Sequence, residues 1–198
     1  MSVQLEWSNR VSTAPQLEPV TLEEAKRNCD VYDGDHTRDA DFLGWIVEAR
    51  KQVERESRNW LLTQTHTMQL SEWCGKIGLT GWPVLSVTSV KYQDTANAQQ
   101  TLATSVYGSD INRRPALVYL KKLQTFPTLY GGHDDIEIIY QVGHGPNRSD
   151  VPPAAKAAIQ MLVRHAFEQP DLLELSAMTE QPQGYQAKIA QLRGGRYP

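Results

Sequence analysis

The sequence is poor in cysteine, and its two cysteines, Cys29 and Cys74, lie far apart. Neither belongs to a Cys-x-x-Cys pair, so their spacing offers neither a zinc ligand set nor a redox motif. Isolated thiols of this kind are typical of proteins from a reducing compartment. We therefore expect both cysteines to remain reduced and to serve only the structure.

Long apolar runs are also missing, and none approaches the roughly 20 residues that a membrane-spanning helix needs. The mean hydropathy of -0.50 predicts a soluble chain without a membrane partner. The segment from Met1 to Pro19 lacks a charged stretch followed by an apolar one, so we do not expect a secretory signal.

An excess of positive charge is absent, because 20 basic residues face 23 acidic ones and the formal net charge is -3. A protein that grips DNA phosphates needs a concentrated basic surface. The only basic concentration is formed by Arg113, Arg114, Lys121 and Lys122. These residues indicate a solvated hairpin, a rim that faces DNA or a partner, or, as a further hypothesis, a small DNA-binding module.

Catalytic motifs are missing as well: the sequence has no glycine-rich phosphate loop, no nucleophile elbow and no His-Glu-x-x-His. We expect no catalytic residues, no metal and no cofactor, and hence a protein that is not an enzyme. The alternative is a metal-dependent enzyme that uses His133, Asp134, Asp135 and His144, whose nitrogen and oxygen atoms suit a metal. The adjacent Gly131 and Gly132 favour a hairpin turn over a ligand set.

What the sequence does contain is a strong helical pattern over residues 38–59. Phe42, Ile46, Ala49 and Val53 recur at helical spacing and form an apolar stripe. We expect Thr37 to cap this helix, and we expect Glu54 to pair with Arg58 four residues later. The opposite face carries the charged residues Glu48, Lys51, Glu54, Arg55 and Arg58.

Two further helices are predicted, over residues 21–29 and 153–168. Thr21 and Glu24 form the signature of a capping box at the start of the first. The last helix has an apolar stripe from Ala155 to Phe167, which we expect to pack against the stripe of residues 38–59.

Between these helices, short alternating segments predict an inserted antiparallel β subdomain over residues 64–143. The predicted fold class is therefore α+β, a small helical bundle with this insertion. We assign residues 1–18 to an extended N-terminal arm, 19–170 to the central domain and 171–198 to a C-terminal tail.

Four stretches, in this order, together resemble one family, the head–tail connector (adaptor) proteins of tailed bacteriophages. They are Pro19–Lys26, Ile46–Glu54 with its continuation to Gln64, Pro83–Asp94, and Tyr140–Gly143 followed by Val151–Val163. The resemblance implies a structural protein that forms a ring on the portal and extends the DNA channel. It also implies a twelve-fold arrangement in the virion neck at the capsid vertex, after synthesis in the host cytoplasm.

The same resemblance implies partners and surfaces. The partners are further copies of the chain, the portal protein, a neck or tail-completion protein, and packaged DNA that passes without sequence-specific binding. The charged face of helix 38–59 becomes a candidate subunit interface, and the four basic residues a candidate channel rim.

The tail becomes a candidate portal-docking segment. We expect it to order only on a partner, so deletion of residues 182–198 should leave a folded chain. Its docking residues would be Leu172, Leu173, Leu175, Tyr185, Ile189, Leu192, Arg193, Arg196 and Tyr197.

Overall fold

The computed structural model describes residues 7–32, 34–169 and 182–193, which form two compact units. The sheet unit contains residues 7–14 and Thr63–Gly143, and the helical unit contains Pro15–Leu62 and the described residues from His144 onward. The β insertion predicted at 64–143 corresponds to most of the sheet unit. The α+β class is confirmed, with antiparallel sheets and four helices in the described part of the chain. None of the described helices is both long and apolar enough to cross a bilayer.

The helical unit contains α1 (Leu22–Asn28), α2 (Asp39–Ser57), α3 (Pro153–Glu168) and α4 (Tyr185–Arg193). The first three agree with the predicted helices to within a few residues. The capping box of α1 is confirmed, because the Glu24 amide donates to Thr21 Oγ1 at 3.1 Å and the Thr21 amide donates to Glu24 Oε2 at 2.9 Å. These bonds satisfy two of the amides that a helix N-terminus leaves unpaired.

The apolar stripes of α2 and α3 meet in the core of the helical unit, as their spacing predicts. Phe42, Ile46, Ala49 and Val53 are buried together with the α3 stripe in one cluster. Each large apolar side chain buried there stabilises the fold by about 1.5–3 kcal/mol. The α3 members of the cluster are Ala155, Ala158, Ile159, Leu162, Val163 and Ala166.

The beginning of α2 differs from the expectation that Thr37 caps it. Arg38 occupies the N-cap position without a side-chain cap bond, and Thr37 instead bonds to Asp35 Oδ1. The buried Lys26 donates its Nζ to Asp39 Oδ1 at 2.8 Å and to the Asp35 carbonyl oxygen. A lysine from α1 therefore holds the acidic loop before α2. Local capping preferences cannot predict such a tertiary contact.

The tail prediction is wrong for residues 182–193. These residues include α4, whose Tyr185, Ile189 and Leu192 are buried in the core of the helical unit. Deletion of residues 182–198 would expose that core, so the expectation that this truncation leaves a folded chain is corrected. Helix α4 has a weak apolar pattern of only nine residues, which explains why the sequence did not reveal it.

The sheet unit has eight strands: β1 (Trp7–Thr13), β2 (Gln64–Leu70), β3 (Lys76–Gly78), β4 (Val84–Gln93), β5 (Gln99–Thr101), β6 (Tyr107–Asp110), β7 (Leu117–Leu120) and β8 (Ile136–Val142). They form a five-stranded sheet in the order β1-β2-β8-β4-β5 and a three-stranded sheet in the order β3-β7-β6. Every pairing is antiparallel.

Within the predicted N-terminal arm, residues 7–13 are extended, as expected, but they are not separate from the folded chain. Residues 7–13 pair with β2 from Trp7 opposite Leu70 to Thr13 opposite Thr65. Its sequence is polar and weakly alternating, so a strand here depends on the neighbouring β2 rather than on its own pattern.

Candidate assembly surfaces

The charged face of α2 divides into exposed residues and a buried ion pair. Glu48, Lys51, Arg55 and Arg58 are exposed and can meet another molecule. Glu54 is only 4% exposed, so we remove it from the candidate subunit interface.

Glu54 binds partners inside the helical unit instead of Arg58. Arg50 donates to Glu54 Oε2 at 2.9 Å and to Glu18 Oε2 at 2.7 Å, and the Leu61 amide donates to Glu54 Oε1 at 3.0 Å. Burial raises the pKa of Glu54, while Arg50 and the Leu61 amide oppose that rise. The predicted pair of Glu54 with Arg58 is wrong, because Arg58 adopts a left-handed conformation (φ 55°) that ends α2.

Three of the four candidate portal-docking residues that lie on α4 are buried, and the fourth, Arg193, is exposed. Tyr185, Ile189 and Leu192 are core residues, and Arg193 Nε donates to the Glu56 carbonyl oxygen at 2.9 Å. Asn59 Nδ2 donates to the Leu192 carbonyl oxygen at 2.6 Å, which fixes the end of α4 to the end of α2. The remaining candidates, Leu172, Leu173, Leu175, Arg196 and Tyr197, lie outside the described residues.

The basic residues lie in two loops of the sheet unit. Arg113 and Arg114 belong to the connection between β6 and β7, while Lys121 and Lys122 follow β7 directly. The Arg114 guanidinium lies 5.9 Å from the Trp82 ring centroid. Lys121 Nζ donates to the Thr104 carbonyl oxygen at 2.7 Å. Two of the four basic residues, Arg114 and Lys121, thus contact other residues of the sheet unit.

The candidate metal ligands do not all belong to one unit. Residues 133–135 lie in a turn of the sheet unit, whereas His144 belongs to the helical unit. Asp135 Oδ2 accepts from the Gly131 amide at 2.7 Å and from the Gly132 amide at 2.9 Å, and these bonds close the turn before β8. His133 Nδ1 lies 3.3 Å from Ser71 Oγ. His144 belongs to the helical unit, where burial lowers its pKa. Across residues 7–32, 34–169 and 182–193, no three His, Cys, Asp or Glu side chains are grouped to hold a metal ion.

A buried polar cluster in the sheet unit was not visible in the sequence. Asn9 Nδ2 donates to His66 Nδ1 at 3.1 Å and to Thr80 Oγ1 at 2.7 Å, and Tyr140 Oη donates to the Thr80 carbonyl oxygen at 3.0 Å. Burial lowers the pKa of His66 to about 4, so this histidine is neutral at pH 7. The cluster attaches β1 to the sheet through side chains as well as backbone.

Comparison with protein-family models gives no match for this chain, and the curated proteins give none either.

Solved structures of similar fold come from gene transfer agent (GTA) particles. A chain in the neck of an empty GTA particle, computed with C6 symmetry, has a TM-score of 0.77 at 21% identity. A chain in the virion of a native GTA particle has a TM-score of 0.75 at 19% identity, and one in the native neck, computed with C12 symmetry, has 0.73 at 20%. Each match covers 96% of this chain and 97% of the other. The protein therefore has the fold of these chains over nearly its whole length.

Proposed function

We propose that this protein is a structural head–tail connector of a phage-like particle, a ring component that joins the capsid portal to the neck or tail. The observation that carries the proposal is the shared fold with chains of GTA necks and virions over 96% of this chain. The four sequence stretches that resemble the connector family support the same assignment from separate evidence.

The proposed protein acts as a homo-oligomeric ring. Two of the similar neck structures were computed with C6 and C12 symmetry, and a ring of twelve copies is compatible with both. A closed head-to-tail ring needs two different complementary surfaces on each copy. The exposed α2 residues Glu48, Lys51 and Arg55, together with Arg58 directly after the helix, are a candidate for one of them.

DNA passes the proposed ring without being bound by sequence. A net charge of -3 suits a channel along which DNA must slide, since a strongly basic lining would hold the phosphates. All four basic residues are exposed in loops of the sheet unit and remain candidates for the channel rim: Arg113, Arg114, Lys121 and Lys122.

The proposed portal contact rests on a smaller set of tail residues than the sequence suggested. Because Tyr185, Ile189 and Leu192 belong to the core, we keep this role for the exposed Arg193 and for Leu172, Leu173, Leu175, Arg196 and Tyr197. The position of the ring in the virion neck, with a neck or tail-completion protein below it, belongs to the same proposal.

Electron microscopy of the purified chain, alone and mixed with its portal, tests the proposal. The expected result is a ring of twelve copies stacked on the portal and coaxial with its channel. Bovine serum albumin mixed with the same portal controls for chance adsorption. A chain that forms no ring in either sample contradicts the connector function.

A further inference from the structure

The five-stranded sheet has two open edges. On one side β1 is outermost, and every residue from Trp7 to Thr13 except Asn9 is exposed. On the other side β5 pairs only with Lys91, Tyr92 and Gln93 of β4. The earlier residues of β4, 84–89, pair with β8 on one side and with no described strand on the other.

The β1 edge carries apolar side chains that the chain itself does not cover. Trp7 and Val11 lie opposite Leu70 and His66 of β2, which are buried, so they belong to the inward face of the sheet. They are nevertheless 53% and 44% exposed. The buried face of the sheet thus reaches its margin at β1, and no other described strand pairs with that edge.

The β4 edge lacks two of the usual protections against pairing with another strand, charged side chains and proline. Natural edge strands are blunted by charged residues, proline or bulges. Residues 84–89, Val-Leu-Ser-Val-Thr-Ser, contain no charge and no proline, and Leu85 is 37% exposed. Two bulges against β8 interrupt this stretch, so we expect only a short run of regular pairing along it.

We propose that the β1 edge of one copy pairs with residues 84–89 of β4 in the next copy, so that the sheet continues across the subunit boundary. Strand directions alternate along β1-β2-β8-β4. A neighbouring copy displaced along this order therefore brings its β1 antiparallel to β4. Main-chain hydrogen bonds provide the affinity in such strand addition, and side chains such as Trp7, Val11 and Leu85 provide the contact area.

A second copy of this chain is the partner that the two edges fit. The edges are different segments, so their contact is heterologous: it gives no two-fold dimer, and it forms a ring when the rotation from one copy to the next closes. Four strands at a spacing of about 4.8 Å give each copy an arc of about 19 Å, and twelve copies would close a sheet ring about 70 Å across. The inference rests on the proposed ring and identifies the surfaces that close it.

Two lysine substitutions test the pairing. Val11→Lys blocks the β1 edge and Leu85→Lys blocks the β4 edge, because a buried edge lysine would lose its hydration. We expect each variant alone to sediment as a monomer of 22.3 kDa while the unmodified chain forms rings. When the two variants are mixed, the intact β4 edge of Val11→Lys can pair with the intact β1 edge of Leu85→Lys. The expected product is a 1:1 dimer. Leu123→Lys, at an exposed leucine on neither edge, is the matched control and should keep the ring.

A second measurement guards against misfolded variants. Amide hydrogen exchange at those residues of 7–11 whose amides point away from β2 should slow at least ten-fold when the unmodified chain assembles, and should stay fast in Val11→Lys. If thermal melting shows that either lysine variant is destabilised, Trp7→Lys and Thr88→Lys place the same charge at other exposed positions of the two edges.

The outcomes separate this inference from the connector function. Rings formed by both lysine variants, or a mixture that gives no 1:1 dimer, overturn the edge pairing. If such variants still join portals as rings, the connector function stands. An unmodified chain that forms no ring alone or on a portal overturns both.

Discussion

At the scale of single residues, the buried ion network of the helical unit shows how position alters the role of a charge. Glu54 lies on the charged face of α2 by spacing, yet it is buried and held by Arg50 and by the Leu61 amide. Buried ion pairs gain little net stability, but loss of one partner leaves the other charge without compensation.

Arg50→Met should therefore destabilise the protein strongly, because it leaves Glu18 and Glu54 without their shared guanidinium. We expect a loss of about 3–5 kcal/mol in the free energy of unfolding, measured by urea denaturation. Lys51→Met, at the exposed neighbouring residue, should change it by less than about 0.5 kcal/mol. Equal effects of the two substitutions would contradict the buried network.

His66 makes the stability of the sheet unit depend on pH. Its folded pKa of about 4 lies below the usual 6.5, so the stabilising contribution of neutral His66 is complete above pH 6.5. It is lost as the pH falls from 6.5 to 4, because the unfolded chain then binds the proton first. The loss is on the order of 2–3 kcal/mol.

Thermal melting followed from pH 7 to pH 4 checks this prediction. His66→Gln should show a smaller fall in melting temperature over that range than the unmodified chain. His165→Gln, at a half-buried histidine of α3 outside the sheet unit, should show the same fall as the unmodified chain. An unaltered pH profile in His66→Gln would assign the titration to other groups.

At the scale of elements, the pairing of α2 with α3 is the part of the fold that sequence periodicity predicts best. Both helices have strong stripes, and the apolar residues that the spacing selects, from Phe42 to Val53 and from Ala155 to Ala166, are buried. The short α4 lacks such a pattern and is held by contacts with α2 and α3. Its helix forms because those neighbours bury Tyr185, Ile189 and Leu192.

Ile46→Asp or Leu162→Asp should abolish soluble folding, since each places a carboxylate in the shared core of α2 and α3. Solubility on expression and circular dichroism measure the outcome. Leu43→Asp, at an exposed leucine of α2, is the matched control and should fold. Unchanged melting of Ile46→Asp would refute the packing of the two stripes.

Ile189→Ala should cost about 2–5 kcal/mol of unfolding free energy, because it leaves a cavity beside α2 and α3. Gln191→Ala, on the exposed side of α4, should be close to neutral. Denaturant unfolding of both variants distinguishes a core helix from a loosely attached tail. Similar midpoints for the two would restore the earlier interpretation of this segment as a tail.

At the scale of the whole molecule, the proposed portal contact can now be tested without damage to the fold. A chain that ends after Arg193 keeps α4 and removes only residues 194–198. We expect the same melting temperature as the full chain but weaker joining to portals in a co-sedimentation assay. Normal joining by this truncation would exclude Arg196 and Tyr197 from the contact.

The sequence by itself determined the α+β class, the three helices with caps or stripes and the inserted sheet region, because helix periodicity and strand alternation are local. Its resemblance to connector proteins agrees with the fold found in GTA necks. It could not show that Glu54 is buried, because burial is a property of the tertiary packing, and it could not place α4 or β1, because both depend on partners far away in the chain. Only the tertiary structure decided which charges are buried, and only it showed that β1 and residues 84–89 of β4 are open edges of the sheet among the described strands.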